Sequence, residues 1–240
     1  MLKISERIKQ VTDNINSVCE KAGRNPSEVK LVVVTKSADV NAIEQVIRLG
    51  LTDLGENRAQ QLKKVTAQIE EFLNQQKDDP QMPKKVDWHM IGHLQRNKVR
   101  QILPIVSLVH SVDTLRLAEE ISSTASKFNI TTRILMQVNS SMEPQKYGVP
   151  IAAATHLAEQ IETLPNLRLI GLMTMAPLTH NESIVRDCFV RTRELFIEMK
   201  GEKIVGPQFM ELSMGMSSDY QIALQEGATI LRIGSAIFSR

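Results

Sequence analysis

At 240 residues the chain suits one large domain or two small ones, and its 42% apolar fraction is ample for a buried core. Lys and Arg number 29 against 27 Asp and Glu, so the net charge of +2 gives no electrostatic footprint for nucleic acid. Cys19 and Cys188 form neither a disulfide framework nor a CxxC, no apolar run approaches the ~18 residues of a membrane span, and charges interrupt the N-terminus where a signal peptide needs an apolar core. A soluble protein of a reducing cytoplasm is expected.

In chain order, Ile4, Ile8, Val11, Ile15 and Val18 mark one face of an amphipathic helix stopped by Gly23, placed to plug the N-terminal end of a barrel. Leu31–Val34 is a β-branched run that leads through Thr35 to Lys36 and reads as a buried first strand. A helical pattern over Val40–Ile47 follows. The second strand is predicted at 51–54, entering Gly55-Glu56-Asn57-Arg58, and a longer helix carries Leu62, Val65, Ile69 and Phe72. Residues 75–85, with Pro80 and Pro83, read as an exposed loop. Further strands are predicted at 86–91, 107–112, 133–138, 168–174, 208–213 and 229–233, with helical segments between them. Asp113 is expected to cap one helix and Pro150 to open another. Strict β-α alternation with eight strands argues for a parallel sheet closed into a single-domain (β/α)8 TIM barrel spanning 1–240, with an extra N-terminal helix. An open doubly wound sheet is the alternative, and no GxGxxG follows the first strand to support it.

Active sites of such barrels form at the C-terminal strand ends, which are here Lys36, Asn57, His93, Ser111, Asn139, Thr174, Ser213 and Gly234. A lysine just past a strand is usually solvated, but Lys36 shares strand parity with Val32 and Val34 and so can point inward. Desolvation there would favour the neutral amine that attacks an aldehyde. Arg232, between the outward Leu231 and Ile233, is expected to face the barrel interior. Buried arginine needs an acceptor: either Glu211, or a ring nitrogen of a ligand. Ser213–Ser217 and Gly234-Ser235 follow the last two strands, where barrels commonly bind phosphate; ordinary helix capping by Ser217 or Ser218 is the plainer alternative. His93 is expected to face the ligand and His89 the core. A shared metal is rejected, because four strand residues separate the two histidines by roughly 13 Å. His110, His156 and His180 carry no expectation.

With these residues assembled, the chain resembles the pyridoxal phosphate homeostasis protein family, related to the barrel of alanine racemase. The resemblance runs from about residue 5 to 238. It rests on Val34-Thr35-Lys36, Gly55-Glu56-Asn57, Trp88–Gln95 with Asn97-Lys98, Lys146-x-Gly148, Gly171–Met175, Ser213–Ser217 with Asp219, and Arg232–Ser235. It implies pyridoxal 5′-phosphate (PLP) as cofactor, held as a covalent aldimine on Lys36. Arg232 would meet the pyridine nitrogen, Asn57 would lie near the ring, and Ser213, Ser217, Gly234 and Ser235 would contact the phosphate. Ser239 stands where the family usually has glycine, and the 75–85 loop is slightly long.

The same resemblance implies vitamin B6 homeostasis and amino/keto acid balance without evident catalysis. Alanine racemases add a C-terminal domain whose tyrosine is the second base; this chain ends at Arg240, and neither Tyr147 nor Tyr220 suggests that role. The alternatives are a racemase-like PLP enzyme, a PLP-responsive regulatory protein, and a Schiff-base aldolase without PLP, the last leaving Arg232 and Ser213–Ser217 unexplained. Expected partners are PLP and PLP-dependent apoenzymes or a regulatory protein. Neither nucleic acid nor membrane is expected, and the chain should be a cytoplasmic monomer.

Overall fold

The computed structural model describes residues 2–239; Met1 and Arg240 lie outside them. The strands are β1 (Lys30–Val34), β2 (Asp53–Glu56), β3 (Asp87–Met90), β4 (Val106–Val112), β5 (Thr132–Asn139), β6 (Val149–Pro150), β7 (Leu167–Met173), β8 (Glu211–Ser213) and β9 (Ile230–Ile233). The α-helices are α1 (Ile4–Lys21), α2 (Val40–Arg48), α3 (Ala59–Gln75), α4 (Val99–Ile102), α5 (Leu115–Phe128), α6 (Ile151–Glu162), α7 (Glu182–Gly201), α8 (Tyr220–Gln225) and α9 (Ser235–Phe238).

Every pairing is parallel. The ring runs β1-β2-β3-β4-β5-β7-β8-β9 and back to β1, so eight strands close the expected (β/α)8 barrel. The two-residue β6 pairs only with β5, beside the ring, through Val138 and Val149. Proline supplies no N–H to a helix, and Pro150 sits just before α6 as its N-cap rather than inside it.

Alternation along the strands sorts two cores. Val32, Leu108, Leu135, Ile170, Met173 and Ile230 fill the barrel. Val33, Leu54, Val109, Ile134, Leu212, Leu231 and Ile233 belong to the larger cluster under the helices. That sorting places Arg232, one residue from each outward neighbour, on the inside.

The N-terminal helix does not plug the barrel. Its buried face, Ile8, Val11, Ile15 and Cys19, packs on α8, α9 and α2. Arg7 donates to the Ile237 carbonyl and Arg24 to those of Leu224 and Ala228. Because α9 is only four residues long, α1 occupies the place in the helix layer that a full-length last helix would fill. Thr12, Ile15 and Asn16 border a cavity of about 430 Å³ at the N-terminal end of the barrel, beside Lys30, Asp53 and Glu211.

Candidate functional site

Lys36 lies in the turn directly after β1, on the expected end of the barrel, and it is exposed. The expected desolvation is not supplied by burial, because the chain has left the strand after Val34. Its base is rigid nonetheless. Thr35 is 1% exposed, its N–H donates to Gly55 O at 3.0 Å, and its hydroxyl lies 2.6 Å from Glu56 Oε1. Glu56 is fully buried, and burial pushes its carboxyl upward against the hydrogen bonds from Thr35 and Asn57 N and the nearby charge of Lys36. Asn57, half-buried, is fixed from the other side by Gly92: a Cβ on Gly92 would lie 2.2 Å from Asn57 O. Only glycine lets the β2 and β3 ends approach so closely.

Arg232 is 4% exposed. Its Nη1 donates to Ser213 Oγ at 2.6 Å and its Nη2 to Thr174 O at 2.8 Å. Both acceptors are neutral, and no carboxylate lies within ion-pair distance of Arg232 among the described residues. Burial pushes the guanidinium down to about 10, with Asp219 acting in the opposite sense. Glu211 is not its partner; that carboxylate accepts from Thr229 Oγ1 at 2.6 Å, toward the N-terminal end. Asp219 is itself buried, its carboxyl raised by burial, and it accepts from Met216 N at 2.6 Å to shape the loop after β8.

Ser213, expected at a phosphate, is fully buried beneath Arg232 and also bonded to His110 Nδ1 at 2.9 Å. Ser217 does not cap α8, whose N-cap position is Asp219. Instead Ser217 Oγ accepts from Ala236 N at 3.1 Å, tying the β8 loop to the first turn after Gly234-Ser235. Gly234 is required there, since a Cβ would meet Val34 O at 2.9 Å. The structure therefore brings Arg232 on β9 together with Ser217 after β8 and Gly234-Ser235 after β9, next to the end of β1.

His93 is exposed and stacks on Tyr147, ring centroids 4.2 Å apart and 17° from parallel. Asp113 does not cap α5; Thr114 does, accepting from Leu117 N at 3.3 Å. Burial raises the Asp113 carboxyl, opposed by His93. Ser111 is fully buried on β4 with its hydroxyl unpartnered, where the register between β4 and β5 shifts. Asn139 Nδ2 donates to Glu143 O within its own loop, whereas Thr174 Oγ1 donates across to Val138 O on β5. His110 and Asp53 carry no functional expectation from the sequence, Asp113 is expected only as a helix cap, and Asp219 only as part of the family motif. His110 was findable, since its parity in 107–112 places it inside with Leu108, across from the inward His89.

The residues fit a phosphorylated pyridine aldehyde. Arg232 is a buried donor held by neutral oxygens, suited to a neutral ring nitrogen, and the amine of Lys36 stands at the next strand end. Among known proteins, residues 7–239 match the family described as alanine racemase, N-terminal domain. A pyridoxal phosphate homeostasis protein from Aquifex aeolicus is 37% identical over 233 residues, 97% of this chain and 96% of the relative. A solved structure of an unknown protein from Bifidobacterium adolescentis has a TM-score of 0.90 at 34% identity, covering 98% of this chain and 94% of that one. PipY of Synechococcus elongatus, solved with PLP bound, has a TM-score of 0.81 at 28% identity, covering 99% of this chain and all (100%) of that one. The chain belongs to the pyridoxal phosphate homeostasis protein family, built on the alanine racemase N-terminal domain.

Proposed function

We propose that this chain binds PLP at the C-terminal end of its barrel and serves intracellular vitamin B6 homeostasis, holding the cofactor on Lys36 without turning over a substrate. The observation that carries this is Arg232, a buried guanidinium with only neutral acceptors, beside a lysine at the neighbouring strand end. Bound PLP supplies an electrophilic aldehyde and a ring that can draw electrons from an attached amine. Lys36 holds the aldehyde end. Arg232 would meet the ring nitrogen as a donor, which would leave that nitrogen an acceptor and keep the electron-drawing power of the ring low. Ser217, Gly234 and Ser235 hold the phosphate, while Ser213 places Arg232. Asn57 and His93 flank the ring.

Non-catalysis is supported by what the tyrosines do. Racemisation needs an acid and a base on opposite faces of the reacting carbon. Tyr220 is 7% exposed, and its hydroxyl accepts from Asn14 of α1 in the helix layer. Tyr147 is 57% exposed and stacks on His93. A second reading, weak racemase-type activity, would draw on the acid–base group His93, Tyr147 and Asp113.

PLP titration followed by visible absorption tests both. The wild type should take up one equivalent and develop a band that Lys36→Ala lacks, with weak phosphate-held binding remaining. Amino-acid racemisation by the loaded protein should stay at the level of free PLP. An unchanged band in Lys36→Ala would overturn the site. Turnover abolished by His93→Ala would favour the enzyme. The setting proposed is a cytoplasmic monomer whose two buried, free cysteines suit a reducing compartment. Its partners would be PLP-dependent apoenzymes or a regulatory protein. Hand-over to an apoenzyme would appear as activation by the loaded protein faster than by equal free PLP.

A further inference from the structure

One row of polar side chains runs through the apolar interior of the barrel. From the N-terminal end, Asp53 Oδ1 lies 3.0 Å from His89 Nε2, and His89 Nδ1 lies 2.9 Å from His110 Nε2. His110 Nδ1 lies 2.9 Å from Ser213 Oγ, which accepts from Arg232 at 2.6 Å. The two rings are 1% and 0% exposed, whereas the Asp53 side chain is 22% exposed at the N-terminal cavity. The row thus links one end of the barrel to the other.

Its ends fix its direction. An arginine can only donate and an ionised carboxylate can only accept. Asp53 is held ionised by its bonds from His89 and Lys30, which outweigh its partial burial. Burial holds His110 neutral, with His89, Arg232 and Lys30 acting in the same sense. A neutral ring offers one donor and one acceptor. His89 must donate from Nε2 to Asp53. If it carries no second proton, its Nδ1 accepts from His110 Nε2, and His110 Nδ1 accepts the Ser213 hydroxyl proton. Ser213 is then purely an acceptor toward Arg232.

We infer that His89 and His110 are positioning residues for Arg232, a tautomer relay that keeps the only proton of Ser213 committed inward. The charged and titratable groups facing the relay are Lys30 on β1, Asp53 on β2 and Arg232 on β9; Glu211 on β8 is turned to Thr229.

Long-range 1H–15N NMR of 15N-histidine-labelled, PLP-free protein tests this directly. His89 and His110 are assigned by replacing the other three of the five histidines, His93, His156 and His180. At neutral pH both rings should be protonated on Nε2 and bare on Nδ1. In Asp53→Asn, whose amide can donate as well as accept, Nδ1–H tautomers should appear on both rings. An Nδ1–H tautomer on either ring of the wild type at neutral pH overturns the relay. The link to the ligand rests on the PLP reading, and there His110→Gln should weaken PLP binding by about tenfold. Failure of PLP to bind at all would sink that reading, while the tautomer measurement would still decide the relay.

Discussion

Individual residues carry most of the testable content. Gly92 is the sharpest steric case: Gly92→Ala pushes a methyl against the Asn57 carbonyl, and such overpacking costs about 1–3 kcal/mol. Urea unfolding should show that loss, and PLP affinity should fall with it because Asn57 is displaced. Glu56 gives a pH dependence. Burial raises its folded-state carboxyl above the ordinary value, so the folded chain binds the proton more tightly than the unfolded one. Its contribution is fully present below the unfolded carboxylate range and is lost as pH rises through the folded value. Unfolding free energies of the wild type and Glu56→Gln should therefore diverge across that window, with the glutamine variant gaining relative stability toward neutral pH. A difference independent of pH would contradict this. Residue-level chemistry was half legible. The inward position of Arg232 is legible, because a cation inside an apolar run is conspicuous, whereas Lys36 is expected inward and is exposed. His110 and Asp219 were not legible, since their meaning depends on partners 103 residues apart, as for His110 and Ser213, or on a buried loop.

Among the elements, the helices were easier to read than the strand ends. The stripe Leu62, Val65, Ile69 and Phe72 lies buried along α3 as its spacing requires. The second strand was placed at 51–54 but runs Asp53–Glu56. An apolar window follows Leu51, which belongs to the turn after α2, and misses the buried polar Glu56 that closes the strand. The strand expected at 208–213 is β8, which starts at Glu211, because Phe209 is buried without being in the sheet. The role of α1 was not legible at all. An amphipathic pattern shows that a face is buried, not what buries it. That role predicts a cost: Ile15, 6% exposed between α1 and the barrel, should lower the unfolding free energy by about 2–4 kcal/mol when replaced by alanine. A loss below about 0.5 kcal/mol would mean that α1 is not part of the ring's packing.

Across the whole molecule, closure follows from β-α alternation and the sheet has no open edge within the ring. One end of the ring carries Lys36, Asn57, Ser217, Arg232 and Gly234, and the other carries Asp53 and Lys30 at a cavity. The apolar layer between them is crossed by the two histidines. If the chain is the proposed single domain, heat or urea should unfold it in one transition by both tryptophan fluorescence and far-ultraviolet circular dichroism, and PLP should raise that transition. Separate transitions for the two probes would contradict it. No helix among the described residues is long and apolar enough to cross a membrane.

The central claim is that Lys36 holds the cofactor. Borohydride reduction of the PLP-loaded protein, followed by proteolysis and mass spectrometry, measures this most directly. The account predicts one modified peptide, carrying the pyridoxyl phosphate mass on Lys36. The same mass at equal yield on another lysine, with Lys36 unmodified, would contradict it.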